Sequence, residues 1–177
     1  MDKVKTKEVL EGLCDYADSI GVKMMKDEAH VLGNAKGAFF PDEQIILINP
    51  DNTPGEKIAT TIHELAHATL HNPKITEQYK ENVPLEQKEL EAEMTSHLLS
   101  KHFGLDTSEK AIDYMAGWTN NLKALDDKQL ADSLKRVHKT VSKMLKKVET
   151  HTKPHQVGKN RGQAPNFPKA PTKGPSR

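Results

Sequence analysis

The sequence predicts an α+β fold, a small antiparallel sheet packed on a mostly helical domain. Three observations predict it. Apolar residues recur every three or four positions through most of the first 150 residues, the period of amphipathic helices. One stretch, 22–48, breaks that period and carries short apolar runs bounded by turn residues, which is how strands read. No apolar run approaches the roughly 20 residues of a membrane span. The longest, Ile45 to Ile48, is strand-sized.

The elements follow in order. Val9, Leu10, Leu13, Tyr16, Ala17 and Ile20 share one helical face, and Gly21 closes that helix. Gly37 to Phe40, then Pro41-Asp-Glu-Gln44, then Ile45 to Ile48 read as strand, turn, strand. Asn52-Thr-Pro-Gly55 opens a helix that runs to about His71 and stops at Asn72-Pro73. A further helix starts near Pro84 and stops at Gly104. Asp106 or Thr107 caps another through about Leu122, and a last, basic helix runs from about Asp126 to Val148.

Composition bounds the function. The 177 residues carry a net charge of +1, and the mean hydropathy is −0.72, so a single water-exposed domain is expected. The N-terminus lacks a signal-peptide core. One cysteine, Cys14, excludes an intrachain disulfide framework and a multi-cysteine zinc finger, and it packs most simply as a small buried residue. A cytoplasmic setting with no membrane partner is the expectation. The charge is uneven. Residues 151–177 hold six cations, no acid and five of the ten prolines, which leaves the first 150 residues at −5. We therefore divide the chain into a domain, 1–150, and a disordered basic Pro/Gly-rich tail, 151–177, too poor in apolar residues to offset its ordering entropy. The tail reads as a spacer or as a weak nucleic-acid arm.

The chemistry is concentrated in Thr61-Ile-His-Glu-Leu-Ala-His-Ala-Thr-Leu-His71. His63 and His67 stand at i and i+4, about 6 Å apart along one helix face. Two imidazoles so placed can hold one zinc ion with bonds of about 2 Å, and Glu64 beside them can take a proton from a water on the metal. A catalytic zinc takes a third protein ligand and leaves one position open. His71 is excluded as that ligand, because eight residues advance a helix about 12 Å from His63. It reads instead as a histidine favoured by the helix C-terminal dipole.

The third ligand is sought on the next helix. At about 100° per residue, Glu89, Glu93 and His97 form one polar stripe. Leu90, Met94 and Leu98 flank it on one side, and Leu85, Ala92, Leu99 and Phe103 on the other. Inward carboxylates need a cation or a metal. Glu89 is the expected ligand. Glu93 is expected to orient one of the histidines and is the second choice as ligand. Glu91 falls opposite, with Lys88, Thr95 and His102, and is expected to face solvent.

At these residues His63-Glu-Leu-Ala-His67 with Glu89-Leu-Glu-Ala92-Glu93 resembles the gluzincin pattern HExxH…ExxA. The style HELAHATLH resembles the ImmA/IrrE metallopeptidases. A closer likeness, over about residues 8 to 147, is to the C-terminal metallopeptidase domain of ArdC-type antirestriction proteins. There a strand pair like Ala38 to Ile48 precedes the zinc helix, and a segment like Tyr114-Met-Ala-Gly-Trp118 follows the glutamate helix. The resemblance implies a zincin-like metallopeptidase fold, a Zn2+ cofactor held by His63, His67 and Glu89, and Glu64 as general base. ArdC-type proteins also carry an N-terminal single-strand DNA-binding domain, which nothing here matches. The chain is then a free-standing peptidase domain or a piece of a longer one.

The expected reaction is hydrolysis of a peptide bond in a specific regulatory protein. The alternative is a non-proteolytic antirestriction or binding module of a mobile element with a structural or vestigial zinc. The intact Glu64 favours hydrolysis. Substrate would add to an edge strand, and Ile45 to Ile48 is the edge candidate, although four apolar residues in a row equally describe a buried strand. Tyr114, Tyr79 and His97 are candidates for stabilising the oxyanion. The resemblance favours Tyr114, while its i+4 spacing to Trp118 equally describes a core pair. The last helix packs through Leu130, Leu134, Val137, Val141, Met144 and Leu145. It turns out Lys135, Arg136, Lys139, Lys143, Lys146 and Lys147, a solvated face or, with the tail, a weak nucleic-acid surface.

Overall fold

The computed structural model describes residues 3–75, 83–105 and 126–152. Among them the order is α1 (Lys3–Ser19), β1 (Lys23–Lys26), β2 (Gly37–Phe40), β3 (Ile45–Ile48), α2 (Pro54–Leu70), α3 (Leu85–His102) and α4 (Asp127–Thr152). The helix expected from Asp106 or Thr107 to Leu122, the Tyr79 loop and residues 153–177 lie outside the described residues. No described helix is long and apolar enough to cross a membrane.

Local chemistry explains the boundaries. Gly21 takes φ +76 after α1, and the Val22 amide donates to the Ala17 carbonyl at 2.9 Å, the paired turn that ends helices on glycine. Thr53 caps α2 through a reciprocal box. Its hydroxyl accepts from the Glu56 amide, the Glu56 carboxylate accepts from the Thr53 amide, and Pro54 supplies a preset φ. Asp126 and Gln129 make the same exchange at the start of α4. That helix continues past the expected Val148 to Thr152, so His151 is helical and pairs with Asp15 of α1 at 2.6 Å.

The expected α+β class holds, but the sheet is mixed rather than antiparallel. Its order is β1-β3-β2. β2 pairs antiparallel to β3 with Gly37 opposite Ile48, and β1 pairs parallel to β3 with Lys23 opposite Ile45. β3 is therefore the central strand, and all four of its residues are buried. This corrects its reading as the edge. A strand paired on both sides and covered by helices is apolar at every position.

α2 lies across β2 and β3 and packs on α1, α3 and α4. α3 is held between α2 and α4. The core joins Leu13 and Tyr16 of α1, Ile46 and Ile48 of β3, Ile58, Ile62 and Leu65 of α2, Leu99 of α3 and Met144 of α4. Two glycines mark close approaches. A Cβ on Gly37 would stand 2.6 Å from Thr60 Cγ2, and one on Gly12 would stand 2.6 Å from Val148 Cα. The α4 face is rotated from expectation: Leu134 is exposed, while Ser133 and Thr140 are buried. On α3, Leu85 and Leu98 are likewise exposed among the described residues.

Candidate metal centre

The His63–His67 face of α2 meets the Glu89–Glu93 stripe of α3, as the helical wheel predicts. His63 Nε2 lies 3.3 Å from Glu89 Oε2, and His67 Nε2 lies 3.1 Å from Glu89 Oε1. Two donors at a tetrahedral angle around one ion, each at about 2 Å, stand about 3.3 Å apart. The observed separations match that spacing. Among the described residues His63, His67 and Glu89 form the group of metal-binding type, their donor atoms all within 4.8 Å of one another. Two imidazoles and one carboxylate suit a divalent cation, for which zinc is typical, and three ligands leave a fourth position open.

Each imidazole has a partner on its other nitrogen. His63 Nδ1 is 3.1 Å from Glu93 Oε2, so Glu93 sits where an orienting acceptor belongs, behind His63. His67 Nδ1 is 2.9 Å from His71 Nδ1. His71 in turn places Nε2 2.8 Å from Glu91 Oε2. The sequence correctly separates His71 from His63 but misses its contact with His67, although i+4 spacing is the signal for it.

Glu91 is a correction. Its side chain is 0% exposed rather than facing solvent. The wheel places Glu91 opposite the metal face correctly, but α4 covers that opposite side. Ser133 Oγ donates to Glu91 Oε1 at 2.7 Å, and Arg136 donates to the same oxygen through Nη2 at 2.6 Å and Nε at 3.1 Å. Gln87 completes the cluster by donating to Ser133 at 2.8 Å. Arg136 is thus not part of a wholly solvated basic face, whereas Lys135, Lys139, Lys143, Lys146 and Lys147 are exposed.

Electrostatics follow from these contacts. Burial pushes His63 toward its neutral form, but hydrogen bonds to Glu89 and Glu93 outweigh it and raise the pKa to about 10. Hydrogen bonds from His63 and His67 hold Glu89 far below the usual carboxylate range. A proton and a metal compete for the same imidazole lone pair, so a bound metal would displace that proton. Burial raises the Glu64 carboxyl, opposed by His63, His67 and the Phe39 amide. Burial pushes His71 down despite Glu91, and it pushes Glu91 up, where hydrogen bonds from His71, Arg136 and Ser133 win and keep the carboxyl low.

The Phe39 contact ties the sheet to the site. In the antiparallel ladder Lys36 accepts from Asn49, so alternate residues of β2 turn their amides away from β3. Phe39 is one of these, and its amide reaches the Glu64 carboxylate. The remaining candidates divide. His97 is half-buried one turn past Glu93 and stands outside the three-residue donor group. Tyr114, Trp118 and Tyr79 lie outside the described residues.

This fold and donor set have counterparts among known proteins. Residues 23–133, well over half of the chain, match the family MPTase-PolyVal, described as zincin-like metallopeptidase, and the chain belongs to that family. It is 38% identical over 138 residues to the uncharacterized Bacillus anthracis protein pXO2-81, a match covering 75% of this chain and 22% of that relative. The chain therefore spans about a fifth of the curated relative's length. Two crystal structures of the antirestriction protein ArdC from plasmid R388 share the fold. The Mn(II)-bound one gives a TM-score of 0.58 at 15% identity over 84% of this chain and 53% of ArdC. The metal-free one gives 0.57 at 16% identity over 86% of this chain and 53% of ArdC.

Proposed function

We propose that the chain is a zinc-dependent endopeptidase acting on a specific regulatory protein, with His63, His67 and Glu89 as ligands and Glu64 as general base. The observation that carries this reading is the convergence of two Nε2 atoms and one carboxylate beside a buried, intact Glu64. A divalent cation held by His63, His67 and Glu89 would supply Lewis acidity, bringing the pKa of a water down toward neutrality and polarising a peptide carbonyl. Glu64 takes the proton and returns it to the leaving amine. Its raised pKa suits both halves of that task, because a base that must later act as an acid works best near the operating pH. The Phe39 amide aims the carboxylate while the proton moves.

β2 supplies the substrate platform in place of β3. It is an edge strand among the described residues, and its outward backbone groups run beside the metal face of α2. An extended peptide adds to such an edge through main-chain hydrogen bonds. Tyr114 remains the proposed oxyanion donor from the ArdC-type resemblance. The HELAHATLH likeness to ImmA/IrrE peptidases and the origin of ArdC on plasmid R388 support a place on mobile elements. Hydrolysis is preferred over a purely binding role, because a structural zinc site closes its fourth position and has no use for a base.

The test is Glu64→Gln beside wild type. We expect equal zinc content and equal thermal stability, with cleavage of a protein substrate, found by comparing proteomes exposed to the two forms, lost by 100-fold or more. Cleavage that survives in Glu64→Gln overturns the mechanism. A biological effect that survives while cleavage does not would establish the binding-module alternative.

A further inference from the structure

The polar chain behind the metal centre has a direction that follows from counting donors and acceptors. Glu91, saturated on Oε1 by Arg136 and Ser133, offers only an acceptor at Oε2. His71 Nε2, 2.8 Å away, must therefore carry a hydrogen and donate it. The Glu91 charge is already matched by Arg136, and the His71 side chain is only 3% exposed, so burial works against a second proton on that ring. A neutral His71 protonated on Nε2 has a lone pair on Nδ1. That lone pair faces His67 Nδ1 at 2.9 Å, so His67 Nδ1 must be the donor. His67 then keeps its Nε2 lone pair for the side where Glu89 and His63 converge.

We propose that His71 is a positioning residue for the metal centre: clamped by Glu91, it fixes His67 in the tautomer that presents Nε2 to the cation. The inference rests on the ligand assignment made under the proposed function. It explains why a carboxylate is buried on the far side of α3 at all. Glu93 reaches His63 directly, while the corresponding role for His67 is relayed through a second imidazole to a residue clamped from α4. The same relay ties the docking of α4 to the ligand geometry on α2, through Arg136 and Ser133.

The parity of the chain can be reversed, which gives a sharp test. In Glu91→Gln the amide oxygen turns to Arg136, which can only donate, so the amide nitrogen points at His71 and donates to Nε2. His71 must then be protonated on Nδ1, and His67 Nδ1 must accept, which leaves the hydrogen on the nitrogen the metal needs. His71→Leu removes the acceptor altogether. His71→Asn keeps an oxygen close to the position of Nδ1. The experiment measures Zn2+ dissociation constants by chelator competition in the full chain, with unfolding curves to establish folding. In parallel, the imidazole N–H protons of the zinc-loaded protein are followed by 15N-edited NMR.

We expect 10- to 100-fold weaker zinc binding in His71→Leu and Glu91→Gln, the usual cost of losing an outer-shell partner, and binding within about threefold of wild type in His71→Asn. A protected His67 Nδ1–H should be seen in wild type and His71→Asn. It should be absent or fast-exchanging in His71→Leu. Should His71→Leu fail to fold, the near-isosteric pair His71→Asn and Glu91→Gln decides the matter by their difference. Equal zinc affinity in wild type, His71→Leu and Glu91→Gln overturns the relay alone. A wild-type protein that binds no zinc overturns the ligand assignment itself, and the relay with it.

Discussion

Glu89 and Glu91 stand two residues apart on α3 and have opposite surroundings. Glu89 faces α2, keeps about a quarter of its side chain in solvent and meets two histidines through both oxygens. Glu91 faces α4, is sealed from solvent and is gripped by an arginine, a serine and a third histidine. One carboxylate is placed where an exchangeable ion could reach it. The other is placed where nothing exchanges. A site that binds metal in a reproducible geometry needs both kinds of place, an open face that accepts the ligand and a closed one that holds the first in position. α3 presents the two on opposite sides of a single helix.

The largest effects should separate those faces. Wild type should carry about one zinc per chain, measured by elemental analysis after dialysis. Glu89→Ala should carry none, because two ligands remain of three. Glu93→Ala should keep most of its zinc at high protein concentration and bind 10- to 100-fold more weakly in competition. Retention of stoichiometric zinc in Glu89→Ala, with loss in Glu93→Ala, would move the third ligand one turn along α3.

The closed face should announce itself in stability as well as in zinc affinity. Arg136→Met leaves Glu91 as a wholly buried carboxylate without its cation, and breaking such a pair from one side costs about 3–5 kcal/mol. Glu91→Leu leaves Arg136, whose side chain is 28% exposed and can turn to water, so it should cost distinctly less. Urea unfolding of the two variants checks the order. Equal costs would mean that Glu91 reaches solvent on losing its partner and that the closed face is not closed.

A steric version of the comparison uses the two tight glycines. Gly37→Ala pushes a methyl group into Thr60 of α2 and toward the Leu47 carbonyl, at 2.6 and 3.1 Å. Gly12→Ala pushes one into the Val148 backbone at 2.6 Å. Both should destabilise by about 1–3 kcal/mol, as overpacked sites do. Only Gly37→Ala should also slow catalysis, because moving β2 moves the Phe39 amide off Glu64. Equal kcat losses in both would show that the strand has no special part in aiming the base.

How far the sequence reaches can be judged on α3 itself. Angles around a helix are fixed by counting, so the convergence of Glu89 and Glu93 on the histidines was legible. The number of faces covered is not fixed by counting. It depends on whether another helix arrives, and α4 announces itself only through a mixed pattern in which Ser133 and Thr140 are buried and Leu134 is exposed. Glu91 read as a solvated residue for that reason, and Arg136 with it. His71 was half legible: its distance from His63 follows from helical rise, while its partner Glu91 lies on another element. The centrality of β3 was legible as one of two readings, and only its pairing with β1, a strand with lysine at both ends, decides between them.

The smallest expected effect asks how far the rigidity of the metal face extends along α2. Thr53 and Glu56 close the start of that helix with two reciprocal hydrogen bonds, at 3.2 and 3.0 Å. Thr53→Ala removes one of them and should cost about 1 kcal/mol. His63 lies more than two turns further on, where Ile58 and Ile62 are fully buried and Ser96 donates to the Ala59 carbonyl at 2.7 Å, so fraying should stop before it arrives. Stability should therefore fall while zinc affinity stays within about twofold of wild type, read by the same urea and chelator titrations. A larger loss of affinity would mean that the first turn of α2 transmits to the ligands, and that the open face is held by its own helix cap as well as by α3.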